Sequence, residues 1–309
     1  MKPPGVLING RAGSVRRDPA LVDRIRRLLP SECVRLTRDP AEVPGALSAL
    51  YEAGVDTLVI VGGDGSATGT LTPLLESWPR EELPALLLAG GGTVNTIARS
   101  LGARGRAERV VTRLLRAGPT SVSHRPVLRL QVEGERTGYA MIFVCGVPVR
   151  FLEHYYRSTR RGPAGAFHAL LSCTASILAD GPLAHELFRP MSVQIRVDGE
   201  RRELQHATIL AASTVQDVGL GFRPFRSAGC FPDRFHWLAT EMRGRELARL
   251  IPALRLGLPR ALAHFDHAAT AAVELSCAEP LAYSIDADLF PARRKLRIEA
   301  GPTLRFLSV

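Results

Sequence analysis

Lysine is almost absent from this chain of 309 residues, in which Lys2 and Lys295 are the only two. The interior therefore contains no GxxxxGK phosphate-binding loop and no candidate Schiff-base lysine. Arginine supplies nearly all of the basic charge, and the formal net charge is +10 at pH 7. This excess indicates an anionic partner such as a nucleotide, an anionic membrane or a nucleic acid, although a solvated arginine-rich surface explains any single cluster equally well.

Paired cysteines, a signal peptide and a long apolar span are lacking too. The five cysteines are odd in number and form no CxxC motif, which predicts reduced thiols in a cytoplasmic protein and no zinc site. The start of the sequence, MKPPGVLING, has no signal-peptide apolar region. The longest apolar helix candidate, residues 164–179, contains His168 and several hydroxyl side chains, so we expect no transmembrane segment. Any membrane contact is expected to be peripheral, on the inner face of the membrane.

Two other absences each argue against a class of function. Aromatic residues make up 6% of the chain and form no basic, aromatic-rich stripe, which argues against a nucleic-acid-binding module. The sequence has no GxSxG motif, so an acyl-transfer hydrolase would lack its nucleophile elbow.

The most informative segment that is present runs from Asp56 to Leu75. Residues 57–61 form a continuous apolar, β-branched run, which is typical of a strand buried on both faces of a parallel sheet. The turn Gly62-Gly63-Asp64-Gly65 follows, and Ser66 is predicted to cap the next helix. Glycines allow the backbone to approach a phosphate, and the helix start favours an anion. The carboxylate of Asp64 would repel that anion unless a metal or a sugar hydroxyl lies between them.

A second strand, glycine turn and helix start follow directly. Residues 84–88 form a short apolar strand, the turn Ala89-Gly90-Gly91-Gly92 follows it, and Thr93 and Asn95 place a hydroxyl and an amide at the next helix start. Two such units in succession place two helix N-termini at the carboxyl edge of one sheet, where open α/β sheets bind their ligands.

These residues resemble a known family. Val61-Gly62-Gly63-Asp64-Gly65-Ser66 is similar to the GGDGT signature of the diacylglycerol kinase catalytic-domain family, which includes bacterial lipid kinases akin to diacylglycerol and sphingosine kinases. Residues 92–102, GTVNTIARSLG, resemble the second motif of that family, GTGNDFARSLG, and residues 7–13 resemble its opening NPxSG loop. Two differences are the serine at Ser66 in place of threonine and the threonine at Thr96 in place of the family's aspartate, which removes a charge.

The resemblance implies a set of nucleotide-binding residues. They are Asn9, Thr37, Gly62, Gly63, Asp64, Gly65, Ser66, Ala67, Thr68, Gly92, Thr93 and Asn95. For Asn9 and Thr37, ordinary turn chemistry at a strand end is an alternative explanation.

The pattern of elements predicts two domains. Strands alternate with helices over residues 1–120, which predicts a doubly wound parallel sheet that binds the nucleotide. Residues 121–309 contain short strands with hairpin turns, which predict a mainly antiparallel domain of β-sandwich type for the lipid or other acceptor. We expect the nucleotide in the cleft between the two domains, and residues 300–309 to return to the first domain.

The family's catalytic base is a glutamate in a C-terminal Asp-Gly-Glu motif, and this chain has two candidates. Val197-Asp198-Gly199-Glu200 contains the same letters but lies between two alternating segments, which is typical of a hairpin turn. Ile285-Asp286-Ala287-Asp288 occupies the family's position before the final strands. We therefore assign Asp288 as the base and Asp286 as its supporting residue, with a plain surface turn as the alternative. The carboxylate of Asp288 is one methylene shorter than that of glutamate.

The resemblance also implies ATP and Mg²⁺. The family's acidic DDGxL segment corresponds to residues 223–235, which keep one carboxylate, Asp233, as the metal-ligand candidate. An ion-paired loop that includes the adjacent Arg234 is the alternative.

The sequence thus predicts a kinase that transfers phosphate from ATP to a diacylglycerol- or sphingoid-like lipid at a membrane surface. Two alternatives stay open: a catalytically impaired nucleotide- or lipid-binding protein, because carboxylates of the metal motif are missing, and a kinase for a soluble acceptor, because NAD kinases share the GGDG turn. The arginines at positions 104–116 recur at helical spacing and form either a solvated face or a phospholipid headgroup surface.

Overall fold

The computed structural model describes residues 2–90, 96–101, 105–133, 138–158, 162–204, 206–219 and 221–309. The chain forms two compact units. Unit 1 comprises Met1–Arg125 and Thr303–Val309, and unit 2 comprises Pro126–Pro302.

The helices and strands follow one another in a mixed α/β order. The first part of the chain contains β1 (Gly5–Asn9), α1 (Gly13–Arg17), α2 (Ala20–Arg26), β2 (Val34–Thr37), α3 (Val43–Glu52), β3 (Thr57–Gly62), α4 (Asp64–Ser77), β4 (Ala85–Gly90), α5 (Thr96–Ser100), α6 (Ala107–Ala117) and β5 (Ser121–Val132). The second part contains β6 (Gly138–Ala140), β7 (Ile142–Gly146), α7 (Val147–Arg157), α8 (Gly162–Ala179), α9 (Pro182–Leu187), β8 (Met191–Val197), β9 (Glu200–Arg202), β10 (His206–Ala207), β11 (Ile209–Ser213), β12 (Phe235–Thr240), α10 (Gly244–Arg255), β13 (Asp266–Thr270), β14 (Ala272–Ile285) and β15 (Asp288–Ser308).

Unit 1 is built on a parallel sheet. Its strands lie in the order β2-β1-β3-β4, and the end of β15 pairs in parallel with β4 through Phe306 and Leu86. Val6, Ile8 and Val59 lie in one buried cluster with α1, α2 and α6, whereas α3 and α4 pack together and contact β2 and β3. The continuous apolar runs are therefore buried on both faces, and the predicted doubly wound sheet is confirmed.

Unit 2 is dominated by antiparallel pairing. Strands β13, β12, β11, β7 and β14 are neighbours in that order, and β14 also pairs with β15 and β8. A large core lies among these strands and includes Phe143, Trp237, Tyr283 and Ile298. The antiparallel pairing of Leu128 in β5 with Ala140 in β6 agrees with the hairpin pattern predicted for this part of the chain.

The helical part of unit 2 differs from the sequence-based prediction. The apolar helix candidate over residues 164–179 corresponds to α8, which begins at Gly162, but the sequence did not predict α7 over Val147–Arg157. The segment Val147-Pro148-Val149 follows a strand and is β-branched, so it lacks a local helix signal, yet its proline occupies a first-turn position where a missing N–H costs nothing. None of the helices in the described part of the chain is long and apolar enough to cross a membrane.

Candidate nucleotide-binding site and acceptor turn

The carboxyl ends of the unit 1 strands lie side by side. Asn9 at the end of β1 pairs with Thr37 at the end of β2, and Gly62 at the end of β3 pairs with Gly90 at the end of β4. Because β1 has β2 on one side and β3 on the other, the direction of winding reverses between β1 and β3. A crevice outside the strand ends at such a reversal is where open α/β sheets bind ligands.

A side-chain bond crosses this reversal point. Asn9 donates from Nδ2 to Oγ of Ser66 at 2.7 Å, and its Oδ1 accepts the amide of Arg11 at 2.8 Å. Gly62 packs closely against Ser66, since a Cβ atom at position 62 would be 2.3 Å from Cβ of Ser66. The glycine at position 62 is thus required for packing of the strand end against the first turn of α4.

Helix α4 begins three residues earlier than the sequence predicts, because its N-cap is Gly63 and not Ser66. Gly63 is the N-cap, with an extended backbone at φ −87° and ψ −174°, and its carbonyl accepts the amides of Ser66 and Ala67 at 3.0 and 3.2 Å. The prediction that Ser66 caps the helix is wrong, because its side chain is already inside the first turn and bonds to Asn9. The amides of Asp64 and Gly65 precede the first intrahelical bonds, so they point out of a 14-residue helix at its positive end.

Asp64 links the two glycine motifs. Its carboxylate accepts the amide of Thr96 at 2.8 Å and that of Ile97 at 3.0 Å, so it caps the start of α5. Burial raises the pKa of the Asp64 carboxyl above its ordinary value, and the two amides and Arg99 oppose that increase without cancelling it. The charge of Asp64 therefore has protein partners, whereas the sequence suggested that a metal or a sugar hydroxyl would be needed.

The other predicted nucleotide-binding residues differ in their burial and in their hydrogen bonds. Thr37 is buried, its hydroxyl donates to the carbonyl of Ile8 at 3.4 Å, and its carbonyl accepts the amide of Gly10 at 2.8 Å. The hydroxyl of Thr68 donates to the carbonyl of Asp64 at 3.2 Å. Gly65 is exposed, the side chain of Ala67 is buried, and Gly92, Thr93 and Asn95 lie outside the described residues.

The two predicted catalytic carboxylates belong to one hairpin in unit 2. Ile285 pairs with Asp288, and the two residues between them, Asp286 and Ala287, have φ values of 49° and 76°. Positive φ at both central positions is typical of a type I′ turn. Ala287 adopts the left-handed conformation in which L-residues other than glycine are strained.

Asp286 is a structural anchor. It is 4% exposed, and its carboxylate accepts the amides of Met141 at 3.2 Å and Ile142 at 2.7 Å. Its own amide donates to the carbonyl of Ile142 at 3.0 Å. These bonds fix the turn that carries Asp288 to the start of β7.

Asp288 is exposed at the start of β15, yet loss of hydration to the surrounding protein raises the pKa of its carboxyl above the ordinary value. Tyr156 from α7 donates its hydroxyl to the carbonyl of Ala287 at 2.8 Å. Sequence reasoning missed Tyr156 because no motif connects residues 131 positions apart.

The second Asp-Gly-Glu candidate is a hairpin turn, as predicted. Val197 pairs with Glu200, and Asp198 and Gly199 have φ values of 50° and 85°. Burial raises the pKa of Asp198, but hydrogen bonds from Thr270 and from the amides of Ala272 and Ala271, together with the charge of Arg234, outweigh it and lower that pKa overall.

The metal-ligand candidate Asp233 is exposed in the loop before β12. Arg234 pairs with Asp198 at 3.6 Å, so the adjacent arginine belongs to the hairpin turn. Among the described residues, no three His, Cys, Asp or Glu side chains are grouped so that they could hold a metal ion. Asp233 is the one carboxylate of residues 223–235, so substrate phosphates would have to supply other ligands of a Mg²⁺ ion bound there.

Comparisons with known proteins agree with this architecture. The family model for the diacylglycerol kinase catalytic domain matches residues 3–125. The resemblance of the first part of the chain to that family is therefore confirmed.

Solved structures extend the likeness in fold to the whole chain. A diacylglycerol kinase from Bacillus anthracis str. Sterne has a TM-score of 0.64 at 16% identity, over 100% of this chain and 97% of that one. A second structure from the same organism has a TM-score of 0.68 at 14% identity over the same shares. Yeast NADH kinase in complex with NADH has a TM-score of 0.52 at 12% identity, over 100% of this chain and 84% of that one. No curated protein matches the chain in sequence.

Proposed function

We propose that this protein is an ATP-dependent lipid kinase that transfers the γ-phosphate to a hydroxyl of a diacylglycerol- or sphingoid-like lipid. The observation that carries the proposal is the polar edge between β1 and β3, where Asn9, Ser66 and the first amides of α4 lie at the reversal point of a sheet that matches the kinase family. Phosphoryl transfer depends mainly on positioning and electrostatic stabilisation, and such an edge supplies both.

In this proposal unit 1 binds the triphosphate. The amides of Asp64 and Gly65 and the positive end of α4 attract phosphate oxygens. Asn9 and Ser66 hold each other in place and present their remaining hydrogen-bonding capacity at the same edge. The carboxylate of Asp64 holds the start of α5 by accepting the amides of Thr96 and Ile97.

Asp288 in unit 2 is the proposed general base for the acceptor hydroxyl. Its raised pKa favours proton acceptance. The turn that carries it is held by the hydroxyl of Tyr156, which donates to the carbonyl of Ala287, and by the carboxylate of Asp286, which accepts the amide of Ile142. Mg²⁺ is part of the proposal on the strength of the likeness to kinases alone.

Two alternatives have specific support. The strained Ala287 and the lone, exposed Asp233 favour a nucleotide- or lipid-binding protein that has lost catalysis. The similarity in fold to yeast NADH kinase favours a kinase for a soluble acceptor.

The direct test incubates the purified full chain with [γ-³²P]ATP and Mg²⁺, and compares extracted lipids with NAD as acceptors. Label in the lipid fraction supports the proposal, whereas label in NAD supports the soluble-acceptor kinase. ATP binding without label in either fraction would indicate the catalytically impaired protein.

The base assignment has a matched control within the chain. We expect Asp288→Asn to lower turnover by about 10²-fold or more, the usual contribution of a general base. Glu200→Gln, in the other turn with positive φ, is expected to leave turnover unchanged. Equal effects of the two substitutions would contradict the assignment.

A further inference from the structure

Helix α8 exposes an apolar surface to solvent. Its 18 residues contain no Asp, Glu, Lys or Arg. Phe167, Leu171 and Leu178 are 51%, 53% and 65% exposed, and Ala175 between them is exposed too. These four residues recur every three or four positions, so they form one stripe along the helix, which we call the α8 stripe.

The opposite side of the helix is already occupied. Ala166, Ala169, Cys173 and Ile177 are buried against unit 2. The helix is therefore fixed to the protein by one side, and the α8 stripe runs along its exposed side for about three turns, with His168 exposed next to Phe167. A row of large apolar side chains in solvent marks an interaction surface far more often than single exposed residues do.

Basic charge lies on the helix that packs against α8. Helix α10 packs against α8, and a Cβ atom on Gly244, its first residue, would be 3.1 Å from Cγ2 of Ile177. Arg245, Arg249 and Arg255 of α10 are exposed and have no ion-pair partner among the described residues. Leu256, which follows that helix, is 72% exposed.

We infer that the α8 stripe is a membrane-docking surface that lies along an anionic lipid bilayer, with the arginines of α10 against the lipid phosphates. Apolar side chains that enter the acyl boundary, together with nearby arginines that contact headgroups, are the combination by which helices bind in the plane of an anionic interface. A protein partner would need neither the absence of every charge from α8 nor unpaired arginines beside it. This inference deepens the proposed function, because a lipid acceptor is reached at such a surface.

Vesicle flotation of the purified full chain, without ATP, tests the inference. Wild-type protein is expected to bind phosphatidylglycerol vesicles more tightly than phosphatidylcholine vesicles. Phe167→Gln with Leu171→Gln and Leu178→Gln is expected to weaken binding to both by about tenfold or more. The control Leu28→Gln changes an exposed leucine of unit 1 and should have no effect.

The arginines are tested with a control of equal charge. Arg245→Gln with Arg249→Gln is expected to weaken binding to phosphatidylglycerol vesicles by about tenfold and to leave binding to phosphatidylcholine unchanged. Arg109→Gln with Arg116→Gln, on α6, removes the same charge from another exposed helix face and should change binding little. If the α6 variant loses binding and the α10 variant keeps it, the docking surface is elsewhere and the inference is overturned.

Other results separate this inference from the proposed function. Thermal unfolding should be unchanged in the stripe variant, because its substitutions lie on an exposed face. Wild-type-like flotation of that variant, or a change from oligomer to monomer in size-exclusion chromatography without a change in flotation, would overturn the inference. Stripe-dependent flotation of a chain that phosphorylates no lipid would support the docking surface and reject the lipid-kinase function.

Discussion

Ala287 has a left-handed backbone conformation that an alanine side chain disfavours. It has φ of 76°, whereas the corresponding position of the Asp198 turn is Gly199 with φ of 85°. The two turns share an aspartate at the first position and positive φ at both positions, so they form a natural comparison. The difference between them is a strained alanine in the turn that carries the proposed base.

We predict that Ala287→Gly stabilises unit 2 by about 1 kcal/mol. Glycine adopts the left-handed conformation without strain, and the greater conformational entropy of glycine in the unfolded state offsets only part of that gain. Urea unfolding followed by tryptophan fluorescence measures the change. The reciprocal substitution Gly199→Ala should destabilise by a similar amount. A lower unfolding free energy for Ala287→Gly would show that Ala287 is not strained.

Asp288 should set the acid side of the activity profile. A general base must be ionised to accept a proton, so activity falls as the pH drops below its pKa. Because desolvation raises the pKa of Asp288, this decline should begin at a higher pH than for an ordinary aspartate. A profile of kcat/KM against pH for wild-type and Asp288→Glu protein measures it. A decline that is identical in both variants and lies at the ordinary aspartate pKa would contradict the role.

At the scale of elements, the strands of unit 1 could be predicted because each is a continuous apolar run that ends in glycine or a polar residue. The ends of β1, β3 and β4 at Asn9, Gly62 and Gly90 follow directly from that pattern. The start of α4 could not be predicted correctly, because Ser66 has a capping side chain but is held by Asn9, which is 57 residues away. The anchoring of Asp286 to β7 likewise depends on contacts that are remote in sequence.

In unit 2 the hairpins were predictable but the element lengths were not. Only short strands were predicted for this part of the chain, but β14 runs unbroken from Ala272 to Ile285, with shifts of register between Ser276 and Tyr283. Pro280 lies inside that strand, and a proline normally argues against one. The irregular register accommodates it. Helix α7 was missed because apolar, β-branched residues at its start are typical of a strand.

The contact between β3 and α4 gives a prediction at this scale. Gly62→Ala should destabilise unit 1 by about 1–3 kcal/mol, because its Cβ would overlap the Ser66 side chain, which is fixed in a helix. In a Ser66→Gly background the same substitution should cost clearly less. A double-mutant cycle of unfolding free energies measures the coupling. Additive effects would show that Ser66 is not what excludes a larger residue at position 62.

At the scale of the whole molecule, the two units have different proposed functions. Unit 1 has the family match and the polar edge proposed for the nucleotide, and unit 2 has the hairpin with Asp288 and the apolar face of α8. The sequence motifs indicated the first of these tasks because phosphate binding requires glycines at fixed positions. They could not indicate the α8 stripe, since large apolar side chains recur around this helix and the sequence does not show which of them are buried.

The central claim is that ATP binds at the edge between β1 and β3, and calorimetric titration of ATP into two matched glycine variants tests it most directly. Gly63→Leu places a side chain at the N-cap of α4, where the extended backbone tolerates it, and Gly69→Leu places one on the same helix where a Cβ meets nothing within 4 Å. The account predicts that Gly63→Leu raises the Kd for ATP by about tenfold or more, equivalent to about 1.4 kcal/mol, and that Gly69→Leu leaves it unchanged. Unchanged ATP affinity in a folded Gly63→Leu protein would contradict it.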